Sequence, residues 1–426
     1  MKQWNALLAL ASGAFTRPGC ALFHGIATAW ILCPARRTLC GMLRLLGPDN
    51  RRCHDAYHRL FRAARWRMAE LWAPLVKVLL QRLCPTGRIE LVGDDTLARK
   101  TGRKVEGAGI FRDPVLSTKN RPVFLLGLNV VVLAIRSQPP WGGEPLALPV
   151  NVRLYRKGGP SHTDLMTDMV RELAAWLPER TFHLTVDGAY ASLARAELPR
   201  THLTSRIRRD AALFDLPPPR RPGQRGRPRK RGNRLPALPD IARRIELWTL
   251  CCVDCRGRSV DRFVYTQLVL WYAVCGPRPV RLAICRDPKG VEPDDYFFTT
   301  DPDAKGYQIV DRYCGRWSVE DTFRSAKQFL GAAQPQCWRA SGPERALATA
   351  FWLYSAVWLW YLQVHGTKPT WTPVPWYPSK VAPSFPDALA ALRRCLWHER
   401  IFIGSRPRPL SAQMSEALVD ALARAA

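Results

Sequence analysis

The period of the apolar positions changes several times along the chain. Over residues 1–85 they recur at three- and four-residue spacing, most clearly through residues 66–83. Arg36, Arg37, Arg44, Arg51, Arg52, Arg62, Arg65 and Arg67 are interspersed, and Pro34, Gly47 and Pro48 break the run. This pattern predicts a small helical bundle with one basic side. From residue 86 the period shortens. Residues 89–92 read as a strand that runs into Asp94 and is closed by it. Residues 123–135 form a long apolar run, as in a central strand covered on both faces. Residues 150–155 alternate like a half-exposed strand. Residues 161–176 predict an amphipathic helix opened by Ser161 and Asp164. Residues 182–186 predict a short strand ending at Asp187-Gly188, and residues 191–198 a helix stopped by Pro199. Further on, residues 245–251, 259–268, 279–285 and 296–299 are strand-like with no long helix between them. They predict an antiparallel sheet inserted into an α/β domain.

Three segments stand apart from these periods. Residues 206–234 hold eleven Arg or Lys against two acids, Asp210 and Asp215, with prolines at 217–219, 222 and 228. No core forms from such a composition, so a mobile basic linker is expected. Its Arg225-Gly226-Arg227-Pro228 looks like the centre of a minor-groove-reading AT-hook. A generic basic loop touching phosphates through Arg225, Arg227, Arg229 and Lys230 is the better reading of so short a motif. Residues 346–364 are long and apolar enough to suggest a membrane span, but their Tyr, Trp and Gln favour a helix buried between a sheet and a second layer. The first residues mimic a short signal peptide. Asn5 interrupts that apolar run, and an N-terminal helix is the better reading.

Composition narrows the function. The 426-residue chain is 47% hydrophobic, hence globular, and carries 64 Lys and Arg against 35 Asp and Glu, a formal charge of +29. That charge opposes compaction unless an anionic partner screens it, and nucleic acid is the expected partner. No basic amphipathic helix shows a clean lipid face, so membrane binding is not expected. Thirteen irregularly spaced cysteines give no disulfide framework. Cys252-x-x-Cys255 lacks a second half for zinc, and the cysteines are expected to be structural thiols in a reducing cytoplasm. No glycine-rich nucleotide loop is present, so no nucleotide cofactor is expected.

The candidate chemistry lies in residues 313–327. On one continuous helix Tyr313, Arg316, Glu320 and Lys327 would share a face only about 60° wide. An acid between fixed cations and a phenol suits a metal and a polyanion better than a core. Two more acids, Asp94 and Asp187, close predicted strands, and strand ends of an α/β sheet gather ligands at one rim. Three convergent carboxylates without His or Cys neighbours select hard ions, Mg²⁺ or Mn²⁺. Two such ions serve phosphodiester cleavage and exchange. His162, Asp164 and Asp168 are read as the acid-rich start of a helix, not as a metal cluster.

These residues resemble a known family. Tyr313-x2-Arg316-x3-Glu320-x6-Lys327 is similar to the Y-x2-R-x3-E-x6-K signature of insertion-sequence transposases of the DDE type. Asp94-Asp95-Thr96 looks like their first acidic motif, and Val186-Asp187-Gly188-x-Tyr190 like their second. The resemblance spans about residues 85–365. It implies a ribonuclease H-like catalytic domain with a β-rich insertion and an N-terminal helical DNA-binding domain. The implied divisions are 1–85 for the helical domain, 86–206 and 296–365 for the catalytic domain, 207–295 for linker and insertion, and 366–426 for a Pro-rich, basic tail. It further implies that Asp94, Asp187 and Glu320 hold Mg²⁺, and that Tyr313, Arg316 and Lys327 grip phosphates. The partner would be double-stranded DNA, bound by a homodimer associated with the cytoplasmic nucleoid. Asp94 is preferred to its neighbour Asp95, because Thr96 then lies on the same strand face. A DNA-binding regulator derived from a transposase, or a nuclease of the same fold that does not transpose, would carry many of the same features.

Overall fold

A computed structural model describes residues 2–46, 52–113, 115–118, 120–219, 226–403 and 412–425. Its centre is a ten-stranded mixed sheet in the order β2-β3-β1-β5-β6-β10-β9-β8-β7, with β4 on the remaining length of β3. The strands are β1 (Ile89–Arg99), β2 (Gly109–Arg112), β3 (Phe124–Ser137), β4 (Leu146–Tyr155), β5 (Phe182–Val186) and β6 (Thr201–Arg206), followed by β7 (Thr249–Cys255), β8 (Arg258–Val269), β9 (Val280–Arg286) and β10 (Asp295–Thr299). β1, β3 and β4 form an antiparallel meander, while β1, β5 and β6 run parallel. This arrangement is consistent with the expected ribonuclease H-like domain.

The helices are α1 (Lys2–Ala9), α2 (Arg17–Leu32), α3 (Leu39–Leu43), α4 (His54–Arg62), α5 (Met68–Leu83), α6 (His162–Trp176) and α7 (Leu238–Arg244). Then come α8 (Tyr272–Cys275), α9 (Gly306–Gly315), α10 (Ser318–Gln328), α11 (Gly342–His365), α12 (Phe385–His398) and α13 (Ala412–Arg424). α6 is started by the expected capping box: Ser161 Oγ accepts from the Asp164 amide at 3.2 Å and Asp164 accepts from the Ser161 amide at 3.0 Å. It packs on β3 and β4, and a side chain at Gly93 of β1 would meet Met166 at 2.5 Å.

α11 is the long apolar segment. Every residue from 346 to 362 is buried, because α11 lies between β4 and the N-terminal helices and α12. No described helix is long and apolar enough to cross a membrane. The N-terminal helices share their hydrophobic core with the sheet. Trp30 Nε1 donates to the Leu330 carbonyl at 2.7 Å, and Trp352 Nε1 to that of Leu71 at 3.1 Å.

Several local expectations change. β1 extends to Arg99 because its far half pairs with β3 alone, so Asp94 sits mid-strand instead of closing it. β4 is mostly buried, not half-exposed, because α11 and α5 cover it. The insertion strands extend the main sheet through β10, which pairs with β6, and the first of them lies at Thr249–Cys255. The expected helix over 191–198 is a 3₁₀ segment, Gly188–Arg195, capped by Asp187. The base of the basic linker is pinned: Phe214 bridges both Arg234 and Leu270, and the Arg231 guanidinium lies 4.2 Å from the Phe214 ring centroid.

Candidate active site

The register of the sheet brings the first two acids together. β1 and β5 are parallel and paired through Gly93 and Val186, so Asp94 and Asp187 are the next residues on adjacent strands. β5 ends there, and Asp187 turns the chain: its Oδ1 accepts from the Ala189 amide at 2.6 Å. Asp94 faces α9 and α10. Its neighbour points the other way, accepting from Asn129 Nδ2 and from the Tyr190 hydroxyl, each at 3.0 Å. The alternation of a strand thus separates Asp94 from Asp95.

The third acid arrives on a helix that differs from expectation. Residues 313–327 do not form one α-helix. α9 ends at Gly315 and α10 begins at Ser318, with Arg316 and Trp317 between them still in right-handed helical conformation. The amides of Arg316, Trp317, Val319 and Glu320 each bond three residues back. This 3₁₀ turn tightens the winding and turns Arg316 inward. Arg316 is buried, and its guanidinium bonds Asp94 Oδ2 at 2.5 Å and Glu320 Oε1 at 3.1 Å. One cation therefore joins an acid from the middle of β1 to one from the start of α10. Among the described residues, Arg316 Nε is buried with no acceptor.

The remaining signature residues lie alongside. Lys327 Nζ donates to Thr96 Oγ1 at 2.6 Å, which fastens α10 to the same face of β1 that carries Asp94. Tyr313 packs its ring on Phe297, with centroids 4.5 Å apart. Arg227, Arg229 and Lys230 are exposed in the basic loop, away from these contacts, and Arg225 lies outside the described residues. Lys100 Nζ, next to the end of β1, donates to the Ala333 and Pro335 carbonyls.

Burial dominates the electrostatics of the pocket. Burial pushes the Asp94 carboxyl up to about 7; Asp95 and Asp187 push the same way, and Arg316 opposes them. Burial also raises the Glu320 carboxyl, against Arg316 and Arg256, and lowers Lys327 to about 8. The three acids offer only carboxylate oxygens, the donor set of a hard divalent ion. Among the described residues, no group of three or more His, Cys, Asp or Glu is arranged to hold a metal. Arg316 occupies that role, lying between Asp94 and Glu320. The donor chemistry fits magnesium, provided the guanidinium gives way.

A family model described as DDE superfamily endonuclease matches residues 21–255, more than half of the chain. The chain belongs to the DDE superfamily of endonucleases. Members generally use divalent metals such as Mg²⁺ and act on DNA. The match holds Asp94 and Asp187 and ends before α9, so Glu320 is placed by its own contacts. No curated protein matches the chain.

Some residues of the site escaped the sequence. Asn129 is one, though a polar residue inside an apolar run was the available signal; with Tyr190 of the second acidic motif it fixes Asp95. A cleft of ≈ 420 Å³ beside Glu320 is lined by Glu144, Arg256, Trp317, Asp321 and Arg324. Arg256 stacks over the Trp317 ring at 4.2 Å. It arrives from the β7–β8 turn, far from Glu320 in sequence.

Proposed function

We propose that this DDE endonuclease is a DNA transposase that cleaves transposon ends and joins them to target DNA by two-metal phosphodiester transfer. The observation that carries the reading is the single Arg316 guanidinium holding Asp94 and Glu320 beside Asp187. Four residues from three separate segments meet where like charges would repel without a cation. Asp94, Asp187 and Glu320 would hold Mg²⁺ or Mn²⁺, which when bound activates water or a 3′-hydroxyl and stabilises the leaving oxygen. Arg316 then exchanges carboxylates for a DNA phosphate, which its planar fork suits equally well. Tyr313 and Lys327 flank that phosphate. The N-terminal helices and the loop with Arg227, Arg229 and Lys230 contribute charge for double-stranded DNA, and a homodimer would hold two ends at the nucleoid.

Purified protein with Mg²⁺ and its own transposon ends should release 3′-hydroxyl termini and yield joined strands. Glu320→Gln should slow cleavage by more than about a hundredfold, as losing one electrostatic contact at a reacting centre does, and still bind DNA. Undiminished cleavage would remove Glu320 from the site. Cleavage with no joined product would favour a nuclease that does not transpose.

A further inference from the structure

Two thiols meet next to the candidate active site. Cys255 ends β7, and Cys314 lies in α9 between Tyr313 and Gly315; their Sγ atoms are 3.0 Å apart. Both are free and partly exposed, and Cys314 also lines the cleft beside Glu320. The cleft leads to the pair through Cys314. A disulfide sets its sulfurs about 2.05 Å apart, so closure needs an approach of about 1 Å, within the range of side-chain rotation.

We infer that Cys255 and Cys314 are a reversible disulfide site that fastens the β7–β8 hairpin to the α9–α10 junction. The surroundings suit the chemistry. The hydrogen bond from Cys314 lowers the Cys255 thiol below its usual range, and burial opposes that shift. Cys314 is shifted upward. Either thiol can attack first; with Cys255 as the attacking thiolate, Cys314 is the resolving thiol. Cys275, Cys285 and Cys337 are buried and pushed up to about 12 by that burial, as inert structural thiols are.

The co-reactant is a small-molecule disulfide. The Cys255 thiolate attacks one of its sulfurs and expels one thiolate. Cys314 loses its proton to solvent, attacks the Cys255 sulfur and expels the second. Two protein thiols become one disulfide, and one small disulfide becomes two thiols.

The bond would join the turn that holds Arg256 over Trp317 to the helix that runs directly into Arg316. This consequence rests on the function proposed above, in which Arg316 must release Asp94 and Glu320; formation of the bond does not. The tether holds the junction in its closed arrangement, so oxidation should slow cleavage.

The test treats the full-length protein with oxidised glutathione, alkylates the remaining thiols, and maps peptides without reduction. The expected product joins the Cys255 and Cys314 peptides and is lost on adding dithiothreitol. Both residues alkylated, or each joined to another cysteine, would overturn the assignment. Mg²⁺-dependent cleavage by the oxidised protein should fall and recover with dithiothreitol, while Cys255→Ser should be unresponsive to the oxidant. A mapped bond with cleavage unchanged would overturn the clamp. A mapped bond in a protein that cuts no DNA even when reduced would leave the site standing and count against the transposase reading.

Discussion

Arg316 is the residue on which the site turns. Its side chain is 7% exposed and that of Asp94 16%, so neither charge is well solvated. Removing one partner of a buried pair leaves the other uncompensated, at a cost of about 3–5 kcal/mol. Here the stranded group is a carboxyl already pushed up to about 7 with Asp95 and Asp187 against its charge, so protonation offsets part of the cost near neutral pH and the full cost shows at higher pH. At that higher pH, Arg316→Gln should therefore lower the unfolding free energy in chemical denaturation by an amount in that range. The same variant should gain more thermal stability from added Mg²⁺ than the wild type gains. An ion binding the native state stabilises it in proportion to its occupancy, and in the variant no guanidinium competes for the acids. Equal stability of the two proteins without metal would mean that the acids tolerate one another unaided, and that Arg316 is not their counter-charge.

At the scale of elements, the short β7–β8 turn does more than connect two strands. Cys255 pairs with Arg258, leaving Arg256 and Gly257 as a two-residue hairpin loop, with φ of 58° and 73°. Positive φ at both positions is the mark of a type I′ turn. A Cβ on Gly257 would stand 3.0 Å from the Glu144 amide and the Gly143 carbonyl carbon. Gly257→Ala should thus cost about 1–2 kcal/mol for the left-handed backbone alone, with further loss as the turn lifts from Gly143 and Glu144. Denaturation of the variant measures this, and a cost near zero would show that the turn does not dock. The turn also shows why the sequence was only partly legible. Arg-Gly lacks the Asn-Gly or Asp-Gly signal that marks such hairpins, and Thr249–Cys255 mixes cysteines with an acid, so its strand was placed four residues too early. Strong periodicity was readable: the apolar runs of β3 and β5 and the capping box of α6 lie where the pattern put them. The break between α9 and α10 was not readable, because Arg316 and Trp317 are ordinary helix residues. Their 3₁₀ winding accompanies the contact of Arg316 with Asp94, which is distant in sequence.

The whole molecule combines one large core, and a smaller cluster between α9 and the insertion strands, with a strongly cationic chain. The acids it does have are widely spent on internal pairs, such as Glu90 with Arg312, Asp301 with Arg88 and Glu172 with Arg153. The cations left at the surface include Arg227, Arg229 and Lys230, exposed on a loop whose base is held by Phe214. Anchoring shortens the reach of the loop and keeps its charges near the sheet, so they should meet phosphate each time DNA binds. Each phosphate neutralised on duplex DNA contributes about 0.9 to the slope of log affinity against log salt. Replacing Arg227, Arg229 and Lys230 together by alanine should make that slope shallower by roughly 2–3, similarly for specific and random DNA, because backbone contacts carry no sequence information. Titrations of labelled duplex across a salt series check both parts. An unchanged slope would place the loop away from the duplex. A loss confined to AT-rich DNA would instead restore the minor-groove reading of the Arg-Gly-Arg-Pro segment, since only contacts within the groove distinguish base composition.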